Sequence, residues 1–168
     1  MRPPMLTTPK GNLLQNPGFE LGLEFWEVPQ TLPNAKKANV SAQSAFPHSG
    51  LASLALNVLD DEHLSVVYQD VRVSPGKCYQ LDCVVSGLGE GHGRLSLEVR
   101  WLDDDCEDLG LGLSLLIPDV GRACDGEWDL HSGVTDEAPL GARRARISVA
   151  SADKCVVLVD DLAFYKID

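Results

Sequence analysis

Two acidic positions near opposite ends of the chain carry the clearest chemical signal. Glu20 closes the phrase Asn12-Leu13-Leu14-Gln15-Asn16-Pro17-Gly18-Phe19-Glu20, with Trp26 close behind it. Asp160 lies inside Val157-Leu158-Val159-Asp160-Asp161-Leu162-Ala163-Phe164-Tyr165. Each phrase sets a carboxylate at the margin of an apolar run. Strand alternation puts Leu158, Asp160, Leu162 and Phe164 on one face. Three of the four are apolar, so Asp160 is expected to point with them to the core. An ionised carboxylate there is costly unless paired or metal-bound, and no Lys or Arg lies within either phrase. Calcium takes roughly six to eight oxygens, so Glu20 and Asp160 with backbone carbonyls can hold one. The other reading is that both carboxylates cap backbone N–H groups without metal. Asp161, on the opposite face, is the second candidate.

A second set of polar residues falls opposite the apolar positions of the expected strands. It comprises Gln80 and Asp82, Arg94, Ser96, Glu98 and Arg100, Asp129 and His131, and Arg146 and Ser148, with Tyr68 at the same parity. Such a face can hydrogen-bond hydroxyl groups. It reads equally as a solvated sheet laced with cross-strand ion pairs, such as Glu98 with Arg146 or Arg100. Signatures of catalysis are missing. There is no nucleophile elbow and no His-Glu-x-x-His helix; the histidines at 48, 63, 92 and 131 are scattered. No carboxylate pair is singled out for glycoside hydrolysis. The chain is expected not to be an enzyme.

The elements that must position these residues read as strands. Ser53–Leu59, Ser65–Val73, Cys78–Ser86, Leu95–Trp101, Trp128–Thr135, Ala145–Val149 and Val156–Tyr165 all alternate, with turn residues between them. Leu109–Ile117 is a strand or a loop segment, because its two internal glycines weaken the pattern. The turn Ser74-Pro75-Gly76-Lys77 is expected to join two antiparallel strands. Trp101 and Trp128 fall on the apolar parity and are expected in the core. Gly87–Gly93 is a flexible connection, with no strand-to-helix context for a phosphate cradle. The acidic run Asp103–Asp108 reads as a solvated loop. About nine or ten strands suffice for two packed sheets. Residues 1–11 read as a flexible tail and 12–168 as a single β-sandwich domain.

Composition narrows the partners. The chain has 168 residues and a formal net charge of −11. Nucleic-acid binders cluster Lys and Arg to displace counterions, so neither nucleic acid nor an anionic membrane is expected as a partner. No apolar run approaches the ~20 residues of a membrane span. Met1–Gly11 lacks the hydrophobic stretch of a signal peptide. The expected location is therefore the cytoplasm, or a spore, phage or surface assembly reached without that signal. Five cysteines leave at least one unpaired in a monomer. Cys106 could pair with Cys124 across a loop, but reduced thiols fit a cytoplasmic origin better.

The order of these signals resembles the carbohydrate-binding modules of the galactose-binding-like jelly-roll superfamily. The phrases are Asn12–Glu20 with Trp26, His48-Ser49-Gly50-Leu51-Ala52-Ser53-Leu54, Tyr68–Tyr79, Gly126-Glu127-Trp128, Ala138-Pro139 and Val159-Asp160-Asp161-Leu162. The resemblance implies an all-β jelly-roll sandwich of two antiparallel sheets. It also implies a structural calcium near the first and last strands, held by Glu20 and Asp160, with Asn12 and Ser49 supplying further oxygens. It implies a poly- or oligosaccharide as partner, bound by ring stacking and hydrogen bonds. The ligand-binding candidates are Tyr68, Gln80, Asp82, Glu98, Arg100, His131 and Arg146. A structural domain of the same fold, in a homo-oligomer or larger surface assembly, is the alternative.

Overall fold

Alternating apolar residues on both sides of one core organise the chain. The computed structural model describes residues 11–29, 40–58, 64–88, 94–118, 120, 125–151 and 155–167. Its strands are β1 (Val40–Gln43), β2 (Ser53–Asn57), β3 (Ser65–Arg72), β4 (Cys78–Leu88), β5 (Leu95–Leu102), β6 (Asp108–Ile117), β7 (Asp129–Val134), β8 (Arg144–Ser151) and β9 (Val156–Ile167). A five-stranded sheet runs β1-β2-β9-β4-β7, and a four-stranded sheet runs β3-β8-β5-β6. Every pairing in these ladders is antiparallel. The sheets pack face to face, as the sandwich reading requires.

The alternation of β3, β4, β5 and β8 puts the expected residues inside. Val67, Leu81, Cys83, Leu97, Val99 and Ile147 are all fully buried. Burial pushes the Cys83 thiol up to about 12, which makes it a packing residue with no reactive role. Trp101 closes the core against Tyr79, with ring centroids 6.0 Å apart. Gly112 of β6 is needed there, because a Cβ at that position would lie 2.6 Å from the Trp101 ring. The glycines that weaken β6 as a sequence pattern thus serve its packing.

The first and last described segments lie side by side. Leu13 N–H donates to the Phe164 carbonyl at 2.7 Å, and Leu162 N–H to the Pro17 carbonyl at 3.2 Å. Asn12 pins the contact with its side chain. Its Oδ1 accepts from the N–H groups of Leu14 and Phe164, and its Nδ2 donates to the Leu162 carbonyl. The initial segment is nevertheless a string of turns and not a strand. Asn16, Phe19 and Phe25 take φ values of 49°, 59° and 71°, which no strand allows. The turns bring Phe19 and Trp26 together at 5.2 Å. Glu27 then makes one isolated bridge to Tyr68 and covers the edge of β3.

Four local expectations are corrected. The Ser74–Lys77 turn does not form a hairpin: β3 and β4 belong to different sheets. Both strands turn apolar residues to one core, so their alternation is the same whether they pair or face each other. In β7 the parity is reversed. Leu130 and Val134 are 53% and 51% exposed, while His131 and Gly133 lie opposite the buried Cys83 and Leu81. Gly133 allows Leu113 and Leu115 of β6 to come close on the inner side. Trp128 packs with Ala55 and Leu158 in a small outer cluster, apart from the main core.

The fourth correction concerns Asp160. The β4–β9 register passes from Val84↔Asp160 to Asp82↔Ala163, so Asp161 and Leu162 together oppose Cys83. This bulge, with Asp161 at φ 48°, inverts the alternation along β9. Val157, Val159, Leu162 and Phe164 face the main core, while Leu158 lies in the outer cluster. Asp160 shares the side of Leu158. It is fully buried, but beneath the 46–52 loop and not between the sheets. Cys106 is a free thiol, and Cys124 lies outside the described residues, as do His63 and His92.

Candidate functional site

The outer face of the four-stranded sheet is built in rows by its register. Tyr68, Ser148, Glu98 and Ser114 form one row; Asp70, Arg146, Arg100 and Leu111 form the next. Arg146 grips Asp70 with two bonds, at 2.7 and 2.8 Å, and this holds the guanidinium above its usual pKa. The same guanidinium carbon lies 4.1 Å over the centre of the Tyr68 ring. Tyr68 Oη donates to Glu27 Oε2 at 2.8 Å. Partial burial first, then that hydrogen bond, raises the phenol pKa. Arg100 pairs with Glu98 at 3.3 Å and Asp108 at 3.1 Å. The side chains are therefore locked by one another before any ligand arrives.

A cavity of about 560 Å³ opens where this face meets the initial segment. Phe25, Glu27 and Gln15 come from that segment; Tyr68, Asp70 and Arg72 come from β3, and Arg144 from β8. Gln69 ties the two walls together, accepting from Gln15 N–H at 2.8 Å and donating to its carbonyl at 2.9 Å. Phe25 is half exposed. The groove thus joins aromatic surface to paired and unpaired polar groups, as ligand sites do.

The sequence-derived ligand set is divided by the fold. Tyr68, Glu98, Arg100 and Arg146 share the outer face of the four-stranded sheet. Gln80 and Asp82 lie on the outer face of the five-stranded sheet, where Asp82 accepts from Gln80 and from Tyr165 Oη at 2.8 and 3.0 Å. His131 turns away from both, to the inner side of β7. Asp70, Arg72 and Arg144 were legible by parity with Tyr68 and Arg146. Phe25 and Glu27 join only because the initial turns fold over the edge of β3.

The acidic corner is a separate site. Asp160 Oδ2 accepts from His48 N–H at 2.9 Å and Ser49 N–H at 3.1 Å; Oδ1 accepts from Asp161 N–H at 2.8 Å. Asp161 takes His48 Nδ1 at 2.6 Å and Ser49 Oγ at 2.5 Å. Glu20 accepts from Leu51 N–H with both oxygens and from Ala52 N–H. The loop thus wraps its donors around three carboxylates. Burial, then the charge of Asp161, raises the Asp160 carboxyl to about 7 against the pull of three N–H groups. No Lys or Arg pairs with these carboxylates among the described residues.

A calcium ion fits this corner in charge. Asp160 Oδ1 and Glu20 Oε1 both come within 3.8 Å of the Cβ position of Gly18. Among the described residues no three His, Cys, Asp or Glu side chains converge on a metal-sized point, so backbone carbonyls would have to complete the ligands.

No protein-family model matches the chain, and no curated protein sequence does. Solved structures do. The enzymatically active domain of bacteriophage CBA120 tailspike protein 4 superposes with a TM-score of 0.74 at 20% identity, over 93% of this chain. The chain spans only 21% of the length of that domain. A family 61 carbohydrate-binding module in complex with beta-1,4-galactotriose superposes with a TM-score of 0.68 at 22% identity, covering 93% of this chain and 99% of the module. The CBM22-1 xylan-binding domain of Paenibacillus barcinonensis Xyn10C gives 0.62 at 15%, over 97% and 99%.

The chain has the jelly-roll fold of carbohydrate-binding modules. At these identities the likeness is one of fold, and ligand choice must come from the site. The jelly roll carries its groove on the four-stranded sheet and its acidic corner on the opposite side of the five-stranded one.

Proposed function

We propose that this jelly roll is a non-catalytic module that binds a poly- or oligosaccharide in the groove beside β3. The observation that carries this reading is the groove itself, with aromatic rings beside prearranged hydrogen-bonding groups. Tyr68 and Phe25 offer surface to the apolar faces of sugar rings. Asp70, Arg146 and Glu27 meet the hydroxyls, with Glu98 and Arg100 further along the sheet. The test is affinity electrophoresis in gels holding a panel of polysaccharides, alongside Tyr68→Ala. Retardation by at least one glycan, lost in the variant, supports the reading. Unchanged mobility in every gel defeats it.

The same reading includes a calcium ion that stabilises the corner of Glu20 and Asp160. Its support is a fully buried carboxylate beside two others, with no Lys or Arg paired to them among the described residues. Glu20 and Asp160 would bind the ion, and backbone oxygens near Ser49 and Asn12 would fill its remaining positions. Its role is to fix the loop over β9.

A second reading is favoured by the tailspike likeness: a structural domain of a larger bacterial surface, spore or phage particle. It predicts oligomers on a sizing column and no glycan retention.

A further inference from the structure

Arg72 and Arg144 occupy one cross-strand pair position between β3 and β8, and both line the groove. Like charges directly opposite on one sheet face repel. Among the described residues no carboxylate forms an ion pair with either of them. Among the described residues Arg72 makes no ion pair or side-chain hydrogen bond, and Arg144 reaches only Cys106 Sγ, at 3.5 Å, and no carboxylate. Carboxylates of the groove and its flank already have partners: Glu27, which lines the cavity, accepts from the Tyr68 hydroxyl. Asp70 is held by Arg146, Asp108 by Arg100, and Asp103 by the N–H groups of Asp105 and Glu107. Each of the neighbouring rows either neutralises its charges or carries none of like sign opposite. The row of Arg72 and Arg144 alone leaves two guanidinium groups facing the cavity.

We propose that the groove takes an anionic glycan, with a ring-borne oxyanion held between Arg72 and Arg144 while a neighbouring sugar lies against Tyr68. This rests on the carbohydrate-binding reading above and adds the class of sugar. Guanidinium forks match the paired oxygens of a carboxylate or a sulfate ester. Tyr68 and Arg72 are four strand residues apart, about 13 Å at ~3.3 Å per residue, so stacking and charge recognition fall on different rings of one chain. The formal charge of −11 does not oppose this. At physiological ionic strength charges are screened over about 8 Å, so the two arginines at the ligand outweigh distant acidic residues.

Isothermal titration with polygalacturonate, chondroitin sulfate, neutral β-1,4-galactan and neutral xylan tests this, on the wild type and on the double variant Arg72→Gln/Arg144→Gln. The wild type is expected to bind an acidic polymer at least about tenfold more tightly than either neutral one. That preference should shrink with added salt. The double variant should lose it while keeping its melting temperature. The polygalacturonate and chondroitin sulfate arms separate carboxylate from sulfate ester. Equal affinity for acidic and neutral polymers, or an acidic preference that survives the double substitution, overturns the inference and leaves the carbohydrate-binding reading standing. Silence toward all four polymers overturns both.

Discussion

The carboxylate of Glu20 occupies the space that a side chain at residue 50 would need. A Cβ built on Gly50 lies 2.2 Å from Glu20 Oε1, and Gly50 itself has φ 61°. The loop over β9 can close on Glu20 only with glycine there.

Gly50→Ala should therefore destabilise the fold in two ways, through left-handed strain and through loss of the Glu20 hydrogen bonds to Leu51 and Ala52. The expected loss is about 2 to 3 kcal/mol, or a drop in melting temperature of ~5–10 °C for a chain of this size. Glu20→Gln should lower it by less. A Gly50→Ala melting curve superimposable on the wild type would show that Glu20 does not anchor the loop.

Calcium removal should act at the same corner. A calcium ion bound only by the folded chain would add about 2.7 kcal/mol when present at ~100 times its dissociation constant. Chelation followed by differential scanning calorimetry should lower the midpoint by several degrees, and added calcium should restore it. No shift on chelation removes calcium from the account and leaves the N–H cradle as the device that holds the carboxylates.

In chelated protein, Asp160 should make stability depend on pH with an unusual sign. Its carboxyl is raised from 3.8 to about 7 on folding. Between those values the folded state keeps a proton that the unfolded chain has released, so this contribution falls as pH rises and is gone above about 7. The difference in unfolding free energy between wild type and Asp160→Asn should shrink from pH 5 to pH 8, by an amount on the order of 2–4 kcal/mol at most. A difference that is flat, or that grows toward pH 8, means that the three N–H donors keep the carboxylate ionised throughout.

Tyr68 should matter to binding through its ring more than its hydroxyl. Tyr68→Ala should weaken glycan affinity at least roughly tenfold, whereas Tyr68→Phe, which loses only the Glu27 bond, should weaken it a few-fold. Equal effects from both substitutions, read by titration, would assign the role to the Glu27 bridge instead.

Some of this was legible from residue order. The buried faces of β3, β5 and β8 follow their alternation, and the phrases around Glu20 and Asp160 do meet at one corner. The ligand set was only partly legible. Tyr68, Glu98, Arg100 and Arg146 stand together, but Gln80 and Asp82 share their parity from the other sheet. His131 stands apart from them because β7 is an edge strand: Leu130 and Val134 remain at the surface there, and small Gly133 meets Leu113 and Leu115.

By itself the sequence determined which side of most strands is apolar, because alternation is a local property of an extended backbone. Tertiary structure decided everything that depends on a partner. It alone assigned β3 and β4 to different sheets and placed the extra residue opposite Cys83 that turned Asp160 outward. It alone folded Phe25 and Glu27 over β3 and set Arg72 against Arg144. Pairing, bulges and loop placement are fixed by contacts between residues far apart in the chain, and no local pattern encodes which distant neighbour will be met.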